Sequence, residues 1–145
     1  MKKCLLVINP RSGKMKIQYE LLSIIKLLNK NDYMVDVQLT LYHNHAREIP
    51  LFVKNNNLFY DLIICSGGDG TLNQVVSGLI ESGLEIPLGY IPSGSTNDYA
   101  NTLGLSFDML DATNNILMGD NYLLEVGLLN NHNYFNQYFA ICIIR

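Results

Sequence analysis

Three short runs in this sequence gather the residue types that hold phosphate. They are Asn9-Pro10-Arg11-Ser12-Gly13-Lys14, Ser66-Gly67-Gly68-Asp69-Gly70-Thr71-Leu72-Asn73 and Pro92-Ser93-Gly94-Ser95-Thr96-Asn97-Asp98. The second is the most informative. It follows a short apolar run, Asp61–Cys65, and leads into a segment with Leu72, Val75, Val76, Leu79 and Ile80 on one helical face. Three glycines and an acid therefore occupy a strand-to-helix turn. Glycines allow close backbone approach and positive φ, and a helix start offers unpaired N–H groups and a positive dipole end. Together these favour a phosphate group. Asp69 is out of place beside a phosphate unless a cation lies between them, so the turn reads as a nucleotide-phosphate site with a magnesium-linked carboxylate. The plain alternative is a tight turn with an acid near the helix cap.

The other two runs weigh on that choice. In the first, Gly13 and Lys14 open a helix. It is not a Walker A loop, because the first glycine is missing and Met15 stands where Ser or Thr belongs. Asn9 can bond the turn backbone or a ribose hydroxyl, and Ser12, Gly13 and Lys14 can face phosphate. The third run is dense in hydroxyls and amides. Ser95 or Thr96 can cap a helix or bond phosphate. Asn97 adds an amide and Asp98 a second carboxylate. Asp69 and Asp98 on neighbouring turns suit Mg²⁺, which keeps several waters and takes one or two carboxylates; Asp98 can equally serve a helix dipole. Thr40, at the end of another strand, belongs to the same edge.

These turns must be positioned by the elements around them, and strand and helix signals alternate along the chain. Strands are expected at Lys3–Ile8, Tyr33–Leu41, 61–65 and Ile86–Ile91. Helices are expected from about Lys14 to Lys30, from Asn44 to Lys54, at 71–82 before Gly83, at Ser95–Leu103 before Gly104, and at Phe107–Met118. Tyr122–Leu128 and Tyr134–Ile144 read as strands joined in a hairpin by Asn130–Asn133. Alternation of this kind predicts an α/β fold, a parallel sheet with helices on both faces. Ligands of such sheets bind beyond the carboxyl ends of the strands, where all three turns fall.

Composition narrows the partners. The chain has 145 residues, a size suited to one domain or part of a larger one, and its 48% hydrophobic and 16% charged content supports a packed core. The net charge of −3, with no basic run longer than Lys2-Lys3, argues against nucleic acid. No apolar run approaches the ~20 residues of a membrane span. The apolar run Cys4–Ile8 is too short for a signal peptide and reads as a strand. Cys4, Cys65 and Cys142 each sit in an apolar run, which suggests buried free thiols in a reducing, cytoplasmic setting. His43, His45 and His132 form no zinc pattern. Capping or solvent exposure is the expected role of His43 and His45.

The ordered set NPRSGK, SGGDGTLNQVV and PLGYIPSGSTNDYANTLGL resembles the catalytic domain of the diacylglycerol kinase and sphingosine kinase family, particularly its bacterial soluble members, over residues 2–139. GGDG is also found in NAD kinase, which stays open as an alternative, as does an inert nucleotide-binding fragment. The resemblance implies an ATP site formed by Asn9, Pro10, Arg11, Ser12, Gly13 and Lys14, by Thr40, by Gly67, Gly68, Asp69, Gly70, Thr71, Leu72 and Asn73, and by Gly94, Ser95, Thr96 and Asn97. It implies Mg²⁺ near Asp69 and Asp98, and transfer of the γ-phosphoryl group to a lipid hydroxyl. Three positions depart from the family: Ser95 stands for its usual Thr, Asn101 for a frequent Arg, and Glu125 for Asp. Family members are roughly twice as long. The resemblance therefore implies an ATP-binding part at 1–120, with 121–145 beginning a β-rich second domain that supplies the lipid pocket and the general base. Peripheral membrane contact is expected, and a homodimer is left open.

Overall fold

The computed structural model describes residues 1–126 and 137–142. In chain order the elements are β1 (Lys2–Ile8), α1 (Ile17–Lys30), β2 (Tyr33–Leu39), α2 (His45–Asn55), β3 (Leu62–Gly67), α3 (Asp69–Ser82), β4 (Leu88–Pro92), α4 (Asp98–Leu103), α5 (Met109–Met118), β5 (Tyr122–Val126) and β6 (Gln137–Cys142). Six strands form one sheet in the order β2-β1-β3-β4-β6-β5. All neighbours are parallel except β5 and β6, which pair antiparallel as the expected hairpin. The hairpin joins this sheet, with Leu88 opposite Ile141 and Gly89 opposite Cys142. Its expected turn, Asn130–Asn133, lies outside the described residues.

Helices cover both faces, and the alternation of side chains along the strands sorts the core in two. One half packs Leu5, Val7, Ile63, Cys65, Leu88 and Tyr90 against Ile49 and Val53 of α2 and Leu72, Val75 and Leu79 of α3. The other packs Cys4, Leu6, Ile8, Leu62, Ile64 and Ile91 against Ile17, Ile24 and Leu28 of α1 and Met109, Ala112 and Ile116 of α5. Two glycines permit the closest approaches. A Cβ on Gly78 of α3 would lie 2.2 Å from the Arg47 carbonyl oxygen, so α2 and α3 pack backbone to backbone. A Cβ on Gly89 would lie within 2.8 Å of Ile116, seating α5 on β4.

Where element boundaries differ from expectation, the backbone gives the reason. Gly13 and Met15 both have positive φ (53° and 55°), so α1 starts at Ile17 rather than near Lys14. β2 ends at Leu39 because β1 ends at Ile8, leaving no ladder partner beyond it. The Thr40 N–H still reaches the Ile8 carbonyl at 2.8 Å. Asn97 is left-handed (φ 50°), so α4 begins at Asp98 rather than Ser95. Helix α3 starts at Asp69, earlier than expected, because the Leu72 N–H already reaches the Gly68 carbonyl at 3.1 Å. At α5, Asp108 caps the helix by accepting the Asp111 N–H at 2.8 Å.

Candidate functional site

From β1 the chain goes outward to β2, while β3 and β4 lie on the other side of β1. The strand order thus reverses between β1 and β3, the place where open α/β sheets bind ligands. The turns after β1 and β3 are joined there. The Asn9 N–H donates to the Ser66 carbonyl at 2.9 Å, and the Asn9 side-chain amide donates to Thr71 Oγ1 at 3.1 Å. The same Asn9 accepts the Arg11 N–H through Oδ1 at 3.1 Å, shaping the first turn from within.

The third turn packs on the other two by bare backbone. A Cβ on Gly94 would lie 2.6 Å from the Gly68 Cα, and one on Gly13 would lie 2.4 Å from the Ser93 carbonyl oxygen. Side-chain-free contact at both positions brings the three turns together. The Ser12 hydroxyl lies 3.7 Å from where a Gly68 Cβ would stand. Below them, the Ser66 and Ser93 hydroxyls meet at 3.3 Å, and the Ser93 N–H bonds the Gly67 carbonyl at 3.0 Å.

Beside this junction lies a cavity of about 240 Å³. Asn9, Arg11, Thr40 and Thr71, four of the residues expected in the site, line it. Tyr42, His43 and Gln74 also line it and were not singled out as ligand contacts by the sequence. They come from the β2–α2 loop and a half-buried position of α3. That loop is built by a left-handed Asn44, by a Tyr42–His45 ring stack at 4.4 Å, and by His45 Nδ1 accepting the Leu41 N–H at 3.0 Å. His45 thus secures a loop backbone rather than capping α2, and His43 is exposed, as expected, on the cavity wall.

Other expected residues take different places. Leu72 is buried in the core, so its part in the turn is played by its backbone. Lys14 and Asn73 are exposed and do not line the cavity, and Gly70 is exposed with open space around it. Pro10 is half-buried in the first turn, and Ser95 and Thr96 are exposed at the tip of the third. Neither Ser95 nor Thr96 caps α4, as the sequence had suggested. Asp69 does so from α3. Its two carboxylate oxygens accept the N–H groups of Asp98 (2.8 Å) and Tyr99 (3.1 Å), because the left-handed Asn97 directs the start of α4 toward α3. Asn97, expected to offer its amide outward, is 5% exposed and clasps its own turn. Its Oδ1 accepts the Gly94 N–H at 2.9 Å and its Nδ2 donates to the Gly94 carbonyl at 2.8 Å.

Nothing in this arrangement provides a nucleophilic thiol. Burial pushes Cys4 and Cys65 up to about 12, so both stay protonated, in keeping with the plain buried thiols expected. Cys142 has no described side chain. Among the described residues no three His, Cys, Asp or Glu side chains gather as a metal centre. Asp69 already accepts two backbone N–H groups through its carboxylate, and Asp98 is exposed at the start of α4. Among the described residues no helix is long and apolar enough to cross a membrane.

Comparison with known proteins places the chain in a family. Residues 3–129 match the model of the diacylglycerol kinase catalytic domain, and the chain belongs to that family. Curated diacylglycerol kinases from Staphylococcus aureus strains bovine RF122 / ET3-1 and MRSA252 are each 33% identical over 135 residues, covering 93% of this chain and 42% of theirs. The crystal structure of a diacylglycerol kinase from Bacillus anthracis str. Sterne superposes with a TM-score of 0.76 at 26% identity, over 88% of this chain and 43% of that one. A putative diacylglycerol kinase from the same organism gives 0.72 at 27% identity, over 86% and 41%. The chain thus spans less than half the length of the relatives it matches.

Proposed function

We propose that this chain is the ATP-binding part of a lipid kinase that transfers the γ-phosphoryl group of ATP to a lipid hydroxyl such as that of diacylglycerol. The observation that carries the reading is the junction of three strand-end turns, glycine against glycine, at the β1/β3 reversal beside the Asn9–Thr40–Thr71 cavity. Family membership supports the same activity and favours it over phosphorylation of NAD.

Phosphoryl transfer asks little covalent chemistry of a protein and much positioning. In this reading the cavity takes the nucleoside. The backbone of Ser12–Gly13, Gly67–Gly70 and Gly94–Thr96 takes the phosphates, with Arg11 as a cation on the cavity wall. Asp69 and Asp98 would hold Mg²⁺, whose role when bound is to neutralise phosphate charge. The acceptor pocket and the general base fall to the portion that longer relatives have beyond this one, with residues 1–120 as the ATP-binding part and 121–145 leading onward. A lipid acceptor calls for peripheral contact with a membrane surface by a cytoplasmic enzyme.

Calorimetric titration of the chain with ATP, with and without Mg²⁺, tests the reading. Saturable, magnesium-dependent binding supports it. Absence of binding by a chain shown folded by circular dichroism would leave an inert fragment. Saturable binding of NAD in place of ATP would turn the assignment to NAD kinase.

A further inference from the structure

Tyr90 sits in β4, two residues before the third turn begins, and its side chain is 3% exposed. Its ring belongs to the core half shared with α2 and α3. Its hydroxyl, however, points to the turns: it donates to the Gly67 carbonyl at 3.0 Å and stands 3.5 Å from Asn97 Oδ1. That Gly67 carbonyl also accepts the Ser93 N–H at 3.0 Å, and that Asn97 oxygen also accepts the Gly94 N–H at 2.9 Å. One phenol therefore touches the acceptor that ties the second turn to the third, and the acceptor that closes the third turn on itself. Burial, with the Asp69 charge nearby, pushes the phenol up, so it remains a donor throughout the physiological range.

We infer that Tyr90 is a positioning residue for nucleotide phosphate, setting the height of Gly68 and Gly94 relative to one another from beneath. It touches no ligand and acts only through the backbone of the two turns. The inference rests on the ATP-site reading, because only a phosphate held by both turns would feel their spacing. A phenylalanine or aliphatic residue would fill the same core volume. The hydroxyl is the part that reaches the turns.

The test is Tyr90→Phe, which keeps the ring and removes one oxygen. Amide hydrogen exchange is measured on both proteins without ligand, and ATP and adenosine are titrated separately in the presence of Mg²⁺. Exchange at Ser93 and Gly94 should quicken by about tenfold, the scale of one buried hydrogen bond, while β1 amides stay protected. ATP affinity should fall by about the same factor and adenosine affinity should hold, a split that general destabilisation would not produce. Unchanged exchange together with unchanged ATP affinity would overturn the inference. So would an equal loss for ATP and adenosine. If the parent protein binds no ATP, the functional reading fails, and the exchange contrast still decides whether Tyr90 holds the turns.

Discussion

The second and third turns of this site contain similar residues but are built in different ways. The turn after β3 starts its helix from its own backbone, while Asn9, Ser93 and Tyr90 bond its flanks. Gly68 is extended, Asp69 opens α3, and the Gly68 carbonyl begins the helical bonding at Leu72. The turn after β4 depends on groups elsewhere. Asn97 clasps Gly94, Tyr90 reaches up from the core, and Asp69 caps α4 from another helix. A turn with a long helix behind it can begin that helix with its own carbonyl, as Gly68 does. One followed by the short α4 must borrow its hydrogen bonds.

If that contrast is right, substitutions in the two turns should diverge. The largest effect is expected from Gly94→Ala. Its new Cβ would meet the Gly68 Cα at 2.6 Å, and backbone cannot swing aside. The two turns must part, at about 3 kcal/mol by the usual cost of overpacking. ATP titration should then show affinity lower by on the order of 100-fold. Next comes Asn97→Ala, which removes both bonds to Gly94 and leaves a side chain poorly suited to φ 50°. Urea denaturation should show a loss of about 2 kcal/mol.

Asp69→Ala sharpens the comparison further, since the residue lies in the second turn but serves the third. It strips the partners from the Asp98 and Tyr99 N–H groups, as removal of a helix cap does. A loss of about 1 kcal/mol is expected with no metal present. Stability equal to that of the parent protein in metal-free buffer would show that the capping bonds contribute nothing. Gly70→Ala gives the smallest effect, because nothing lies within 4 Å of a Cβ there and the position is helical. Thermal unfolding should register between no change and a gain of about 1 kcal/mol. A marked loss would mean that the start of α3 relies on more than its own backbone bonding.

The same contrast explains what the sequence disclosed. The alternation of apolar runs and 3.6-residue periodicity was enough for the sheet, its helices on both faces and the terminal hairpin. These depend on patterns of burial that neighbouring residues express together. Gly68 and Gly94 could be placed on one edge because both follow strands. What stayed hidden was who holds whom. Nothing near Asp69 indicates that its carboxylate caps a helix 29 residues later, and nothing in Leu88–Pro92 distinguishes a tyrosine that packs from one that also bonds a turn. Asn97 and Asp98 looked equally available, but one left-handed residue turned the first inward and left the second exposed. His43 gained a cavity wall through loop geometry set by Asn44, which no periodicity encodes.

The strand order also constrains the protein during its synthesis. β4 acquires its second neighbour only when β6, some fifty positions later, lies down beside it. Until residues 137–142 emerge from the ribosome, the strand that carries Tyr90 is an open border, with unpaired N–H and C=O groups ready to accept any extended segment. A nascent chain halted at residue 120 should therefore be prone to self-association through that border. Light scattering of a release series ending at 120 and at 145 would detect it, and equal scattering from both would rule it out.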